Sequence, residues 1–298
     1  MKVLVFGAGG QIGREVCRAA WPPCYEILPL DRGAVDITNS AAVTASVARE
    51  VPDLVINLAA YTAVDRAESE PETAWAVNCA GAAHIAAACG GRATPLIHLS
   101  TDYVFDGCKT EAYLEDDAVR PLNVYGHSKE VGERAVRAVL APHVILRTAW
   151  VFGASGANFV KTMLRLAAER PVLRVVADQR GCPTAAADIA AALVVIAEHI
   201  ARGETKWGTY HFAGARAISW HGFAEGIFNL AASRLTACPR IEAITTDQYP
   251  TPARRPMNSV LDCRKIEAVF GIQPSPWWVS LASVIGEVLG PAPESSPR

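Results

Sequence analysis

The stretch KVLVFGAGGQIG, residues 2–13, decides the fold. A short apolar run leads straight into Gly7, Gly10 and Gly13, the pattern of a strand that ends in a glycine-rich turn and reopens as a helix near Gln11. Glycines let the chain turn sharply and let backbone N–H groups approach an anion, which then rests on the positive end of the helix dipole. The loop reads as a pyrophosphate cradle. No Lys-Ser or Lys-Thr pair follows the glycines, so it is not the loop of a nucleoside triphosphatase.

The same rhythm continues beyond it. Apolar runs at 25–30, 54–60, 95–99 and 144–146 alternate with helix-forming segments at 14–20, 40–49, 72–88 and 128–140. Runs of this length, each about one helix apart, predict parallel strands covered on both faces. The predicted fold class is α/β, a doubly wound parallel sheet of Rossmann type with a smaller carboxyl-terminal region. Past about Trp150 the pattern loosens into a strand-like run at 172–177, a helix at 185–199 and a Trp- and Pro-rich portion expected over the strand ends. Residues 291–298, with three prolines and two serines, are expected to fray.

Composition removes several function classes. The 298 residues are 51% hydrophobic and 19% charged, which supports a packed core and excludes bulk disorder. The 28 Lys+Arg against 30 Asp+Glu include no dense basic run, so the footprint of a nucleic-acid binder is missing. The longest apolar stretch, 189–197, falls well short of the ~20 residues that span a bilayer. Eight cysteines show no CxxC pair and no histidine at ligand spacing, so no metal site is expected. They read as reduced, mostly buried thiols of a cytoplasmic protein.

Two further features carry chemistry. Asp31 ends the second apolar run, where a carboxylate hydrogen-bonds an adenosine ribose, and Arg32 beside it suits a 2′-phosphate; the pair is compatible with NADH or NADPH. Asp31 equally fits a strand-end turn. Tyr125 and Lys129 form YxxxK, which places both side chains on one helix face. An ammonium beside the phenol is expected to lower its pKa from near 10 and make it the general acid of a carbonyl reduction. Thr101, after the run at 95–99, is expected at a strand end, where it shares the same substrate oxygen. His127, between the pair, is expected to be exposed.

GxxGxxG, a Ser/Thr after the fourth strand and YxxxK, in that order, resemble the extended short-chain dehydrogenase/reductase superfamily. Longer strings narrow the resemblance: NLAAYTAVDRAESEP from Asn57, STDYVFDG from Ser100, PLNVYGHSK from Pro121, RTAWVFG from Arg147, NFVKTMLRLA from Asn158 and YPTPARRPMNS from Tyr249. Together they are similar to the dTDP-4-dehydrorhamnose reductases across nearly the whole chain. The resemblance implies reduction of the C4 keto group of a 6-deoxy sugar nucleotide with NADPH or NADH. It implies a cofactor domain at 1–150 and a mainly sugar-nucleotide-binding region at 151–298, with some segments returning to the core.

Carried onto this chain, Gly10, Gln11 and Ile12 would wrap the pyrophosphate within the Gly7 to Gly13 loop. Asp31 would lie near the ribose, Asp36 and Ile37 would flank the adenine, and Ala60, Tyr61 and Thr62 would line the cofactor. Thr101, Tyr125 and Lys129 match the catalytic trio, and Thr101, Asp102 and Trp150 the substrate contacts. Arg254 and Arg255 suit a diphosphate or closing-loop contact. Trp150 also fits junction packing, Asp102 a turn cap, and Gly181 with Pro183 a simple turn. The partner is a small-molecule sugar nucleotide, with a homodimer admitted. Alternatives are a product of opposite C4 configuration, such as a dTDP-6-deoxy-L-talose, and a non-catalytic NADP-binding subunit. A dehydratase is disfavoured because Tyr103 stands where its glutamate would.

Overall fold

The computed structural model describes residues 1–204 and 206–290; the tail expected to fray lies outside them. In chain order the first region runs β1 (Lys2–Phe6), α1 (Gln11–Arg18), β2 (Glu26–Leu30), α2 (Ser40–Glu50), β3 (Leu54–Asn57), α3 (Val64–Ala67), α4 (Pro71–Trp75), α5 (Ala82–Gly90), β4 (Leu96–Thr101), α6 (Val124–Val139) and β5 (His143–Thr148). The rest follows as β6 (Val151–Phe152), α7 (Phe159–Glu169), β7 (Val172–Val176), β8 (Arg180–Gly181), β9 (Thr184–Ala185), α8 (Ala186–Ala201), β10 (Gly208–His211), β11 (Ile218–Ser219), α9 (Trp220–Ala231), β12 (Arg240–Ile244), α10 (Arg264–Phe270) and α11 (Trp277–Leu289).

Six strands form one parallel sheet in the order β10-β5-β4-β3-β1-β2. Alternation along each strand explains why both faces are covered. In β1, Val3 and Val5 join the layer containing α1 and α8 residues, whereas Leu4 and Phe6 join the layer of α2, α5 and α6. Leu54 and Ile56 against Val55, and Val144 and Leu146 against Ile145, divide in the same way. Each such fully buried side chain stabilises the sheet by about 1.5–3 kcal/mol. The chain leaves β1 toward β2 on one side and returns to β3 on the other. That reversal opens a crevice at the carboxyl ends of β1 and β3.

Several expected boundaries shift for local reasons. The run at 54–60 stops pairing at Asn57, whose Oδ1 accepts the Ala59 N–H at 3.1 Å and turns the chain. The runs at 95–99 and 144–146 are too short: Ser100 and Thr101 pair in register with Arg147 and Thr148, polar strand ends that an apolar count passes over. The helix expected at 128–140 starts a turn earlier, because Asn123 accepts the Gly126 N–H at 2.8 Å as its cap. The helix expected at 72–88 contains a π-helical turn, Ala76–Gly81. Gly132 of α6 packs against that turn, where an added Cβ would sit 2.2 Å from the Asn78 carbonyl oxygen.

The second region has a separate core of aromatic and aliphatic side chains from α7, α9 and α11, among them Phe223, Ile227, Trp277 and Leu281. It is stitched by the parallel β7·β12 pair and by strands of two residues. The Gly181–Pro183 stretch expected to be a turn contributes β8 and leads into β9. Cysteine burial also departs from expectation. Cys89 and Cys182 are buried, while Cys17, Cys24, Cys108 and Cys238 are exposed, since they fall on outer helix faces and loops. No helix among the described residues is long and apolar enough to cross a membrane.

Candidate active site

Three strand ends and one helix build the site. β1 delivers the glycine loop, β3 the turn through Ala60 and Thr62, β4 ends in Thr101 followed by Asp102, and α6 carries Tyr125 and Lys129. They converge on a cleft of about 380 Å³ whose walls include Gly10, Gln11, Ile12, Gly13, Ala60, Thr62, Thr101, Asp102, Tyr125, Lys129 and Trp150. Most of the residues singled out in the sequence therefore meet in one place.

Several do not line it. Gly7 sits beneath the loop at φ +82°, where an added Cβ would be 2.5 Å from the Ala59 nitrogen. Asp31 takes the turn role, its Oδ1 accepting the Ala34 N–H at 2.9 Å. Asp36 accepts from the backbone N–H and hydroxyl of Thr38, and these bonds hold its carboxyl below the usual range. Ile37 is buried against Gly81 in the core, and the Tyr61 hydroxyl donates to Glu70 at 2.8 Å. Arg32 is largely exposed, 3.5 Å from Asp36. His127 is exposed, as its helix position requires.

The cradle fits a pyrophosphate. α1 opens at Gly10 with no side-chain cap and no acidic residue in its first turn, so the N–H groups of that turn face the cleft end without a competing anion. Gly13 allows the helix to pass under the loop, because a Cβ there would lie 2.3 Å from the Gly7 carbonyl oxygen. Gln11 Oε1 accepts from Asn158 Nδ2 at 2.7 Å, which ties the loop to the start of α7.

Desolvation dominates the catalytic side. Burial pushes the Tyr125 phenol up to about 12, with the neighbouring Thr101 hydroxyl acting in the opposite direction. Lys129 is buried and donates to the Leu99 carbonyl at 2.6 Å; burial pulls its ammonium down to about 8, against the pull of Glu133 one turn further along α6. The expected lowering of the phenol by the lysine is thus not what the geometry provides, and Tyr125 stays a neutral, proton-bearing group across the physiological range. Burial raises the Asp102 carboxyl to about 6 against the lowering influence of the nearby Ser259 and Thr101 hydroxyls. Thr101 donates to Asp102 Oδ1 at 3.0 Å, leaving Oδ2 without a partner. Thr148 Oγ1 is also unpartnered, so two residues of the cleft wall carry buried polar atoms with unmet hydrogen bonds.

Beneath the trio lies a buried ion pair. Glu133 accepts from Arg147 Nε at 2.9 Å and Nη2 at 2.7 Å, and from Ser100 Oγ at 2.5 Å. Burial alone would raise its carboxyl, but the bonds and charge of Arg147, with help from Ser100 and Arg137, outweigh that and hold it at about 2. Ser100 precedes Thr101, so this pair fixes the strand end that presents the hydroxyl. Trp150 is held in a left-handed conformation at φ +47°, a strain of about 1–3 kcal/mol. Its indole stacks on Trp220 at 3.4 Å and occupies the space where a Gly181 Cβ would be, 2.3 Å away.

Sequence reading missed Ser100, Thr148 and Glu133, and used Tyr103 only to disfavour a dehydratase. Ser100 and Thr148 stand inside the quoted strings, within two positions of Thr101 and Trp150. Glu133 follows Lys129 by one helical turn, but only the packed structure shows that this face is buried.

The RmlD substrate binding domain family matches residues 1–289. A relative named dTDP-4-dehydrorhamnose reductase from Aggregatibacter actinomycetemcomitans is 48% identical over 95% of this chain and 98% of its own length. A dTDP-4-dehydrorhamnose reductase ortholog from Clostridium acetobutylicum is similar in structure, with a TM-score of 0.89 at 38% identity over 96% of this chain and 98% of that one. A dTDP-4-dehydrorhamnose reductase from Bacillus anthracis, solved in complex with NADP, gives 0.88 at 36% identity over 96% of this chain and 99% of that one. The cradle, the hydroxyl-bearing strand end and the Tyr-Lys helix stand in a chain matched from end to end, and the chain belongs to the RmlD family, that of the dTDP-4-dehydrorhamnose reductases.

Proposed function

We propose that this protein reduces the C4 keto group of dTDP-4-dehydro-6-deoxy-L-mannose (dTDP-4-dehydrorhamnose) to give dTDP-L-rhamnose, with NADPH or NADH as reductant. The observation that carries the reading is the convergence of Thr101, Tyr125 and Lys129 with the Gly10–Gly13 cradle in one cleft. When bound, the nicotinamide supplies the hydride. The remaining work falls to the chain. The α1 N-terminus and glycine loop bind the pyrophosphate, and the exposed Arg32 would leave Asp36 to meet a 2′-phosphate. The Tyr125 and Thr101 hydroxyls hold the ketone oxygen. As negative charge develops there, Tyr125 transfers its proton, so hydride and proton together complete the alcohol. Lys129 holds the nicotinamide ribose and stabilises the phenolate left behind. Asp102, Thr148 and Trp150 bind the sugar nucleotide.

Residues 1–150 then serve the cofactor and 151–298 mainly the sugar nucleotide, with β10 and α8 returned to the sheet core. The proposal also places the enzyme in the cytoplasm and includes a homodimer, which sedimentation at the mass of one copy would remove. The deciding experiment mixes protein, the 4-keto sugar nucleotide and each reduced cofactor. Loss of reduced-nicotinamide absorbance with dTDP-L-rhamnose identified by NMR is expected. Cofactor binding without oxidation would overturn the reading, and a C4 epimer as product would change its stereochemistry.

A further inference from the structure

One segment of the second region reaches several groups near the phenol. Between Thr251 and Ser259 the chain runs from the outer loops to the neighbourhood of the Asp102 carboxyl and is bonded at several points. The Ala253 N–H donates to Asp65 Oδ1 at 3.2 Å. Arg255 donates to both Asp65 oxygens, at 3.0 and 2.7 Å, and its guanidinium also faces the Tyr103 hydroxyl. Asn258 Nδ2 donates to the carbonyls of Lys109 and Glu111, both at 2.8 Å, and Ser259 ends the segment beside the Asp102 carboxyl. Arg255 is thus committed to Asp65 and is not a free diphosphate ligand.

Asn123 joins this segment to the catalytic helix. Its Oδ1 accepts the Gly126 N–H at 2.8 Å and caps α6; its Nδ2 donates to the Arg254 carbonyl at 2.7 Å. One amide therefore starts the helix that bears Tyr125 and pins the segment from the other region. Little slack exists between them. The Tyr103 ring meets the Tyr125 ring edge-on at 5.7 Å, and Gly126 lies so close that a Cβ would be 2.2 Å from the Tyr103 carbonyl oxygen.

Resting on the site reading above, we propose that residues 251–259 form a positioning strap and that Asn123 is the positioning residue through which the second region sets Tyr125 against its substrate. Proton transfer is sensitive to displacements well below the length of a hydrogen bond, so loosening the strap lowers turnover without touching the cofactor cradle.

Both Asn123→Ser and Asn123→Asp retain an oxygen for the Gly126 N–H; the ionised Asp has no donor for the Arg254 carbonyl, and the Ser hydroxyl that caps the helix is too short to reach it as the amide does. Each is expected to lower kcat roughly 10- to 100-fold, with the dissociation constant of NADPH unchanged. Arg255→Lys, which gives up the two-pronged grip on Asp65, is expected to do the same. If strap and cap act as a unit, the double variant Asn123→Ser/Arg255→Lys loses no more than the worse single change. Wild-type kcat in Asn123→Ser, or strictly multiplicative losses in the double variant, would overturn the strap. Tyr125→Phe in the same assay separates the two readings: its inactivity beside a fully active Asn123→Ser sinks the strap alone, whereas full activity in both sinks the site.

Discussion

The two regions of this chain solve the problem of placing side chains differently. In the first, six parallel strands with covered faces end at one level, and the sheet itself aims the glycine loop, Thr101 and, through α6, Tyr125. In the second, strands of two residues and an aromatic core hold Trp150 and the 251–259 segment by stacking and by long-range polar contacts. Positions set by a sheet follow from periodicity. Positions set by single side-chain contacts depend on partners far away in sequence, and each is exposed to one substitution.

Breaking the first region at its charged centre should have the largest effect. Glu133→Gln leaves Arg147 buried with its charge uncompensated, so about 3–5 kcal/mol of stability is expected to be lost in denaturant titration, provided unfolding is two-state. Gly13→Val pushes a side chain into the Gly7 carbonyl and should weaken NADPH binding about 100-fold, or ~2.7 kcal/mol, as read by fluorescence titration. The matching change at the aromatic stack with the second region is smaller and falls on the other ligand. Trp150→Ala is expected to raise KM for the sugar nucleotide about tenfold, or ~1.4 kcal/mol, while NADPH binding is unchanged. A rise in both constants would erase the distinction between the regions.

The mildest probe is pH. Lys129 loses its proton as pH rises through about 8 in the free enzyme, while Tyr125 stays protonated to about 12. The alkaline limb of kcat/KM for the cofactor is therefore expected near 8, with activity falling as pH rises, and to disappear in Lys129→Met measured on its residual rate. A limb that persists unchanged in that variant would assign it to another group.

Legibility in the sequence follows the same division. The sheet could be read because Val3, Leu4, Val5 and Phe6, and the runs after them, are apolar on both faces. The strand ends could not be read so well, because Ser100, Arg147 and Thr148 are buried polar residues that break an apolar run. The trio was legible because YxxxK is local. The expected effect of Lys129 on Tyr125 was not met, since spacing gives no measure of desolvation or of the Leu99 carbonyl that takes the ammonium. The π turn at Ala76–Gly81, the Asn123 bond to Arg254 and the Trp150·Trp220 stack left no mark in any window of sequence. Each exists only once distant segments have packed.

The whole account places the reacting proton on one phenol, and turnover of Tyr125→Phe measures that most directly. The variant should bind NADPH like the parent protein and reduce the 4-keto sugar nucleotide about 10²- to 10⁴-fold more slowly at saturation. Turnover at the parent rate, with dTDP-L-rhamnose still formed, would contradict it.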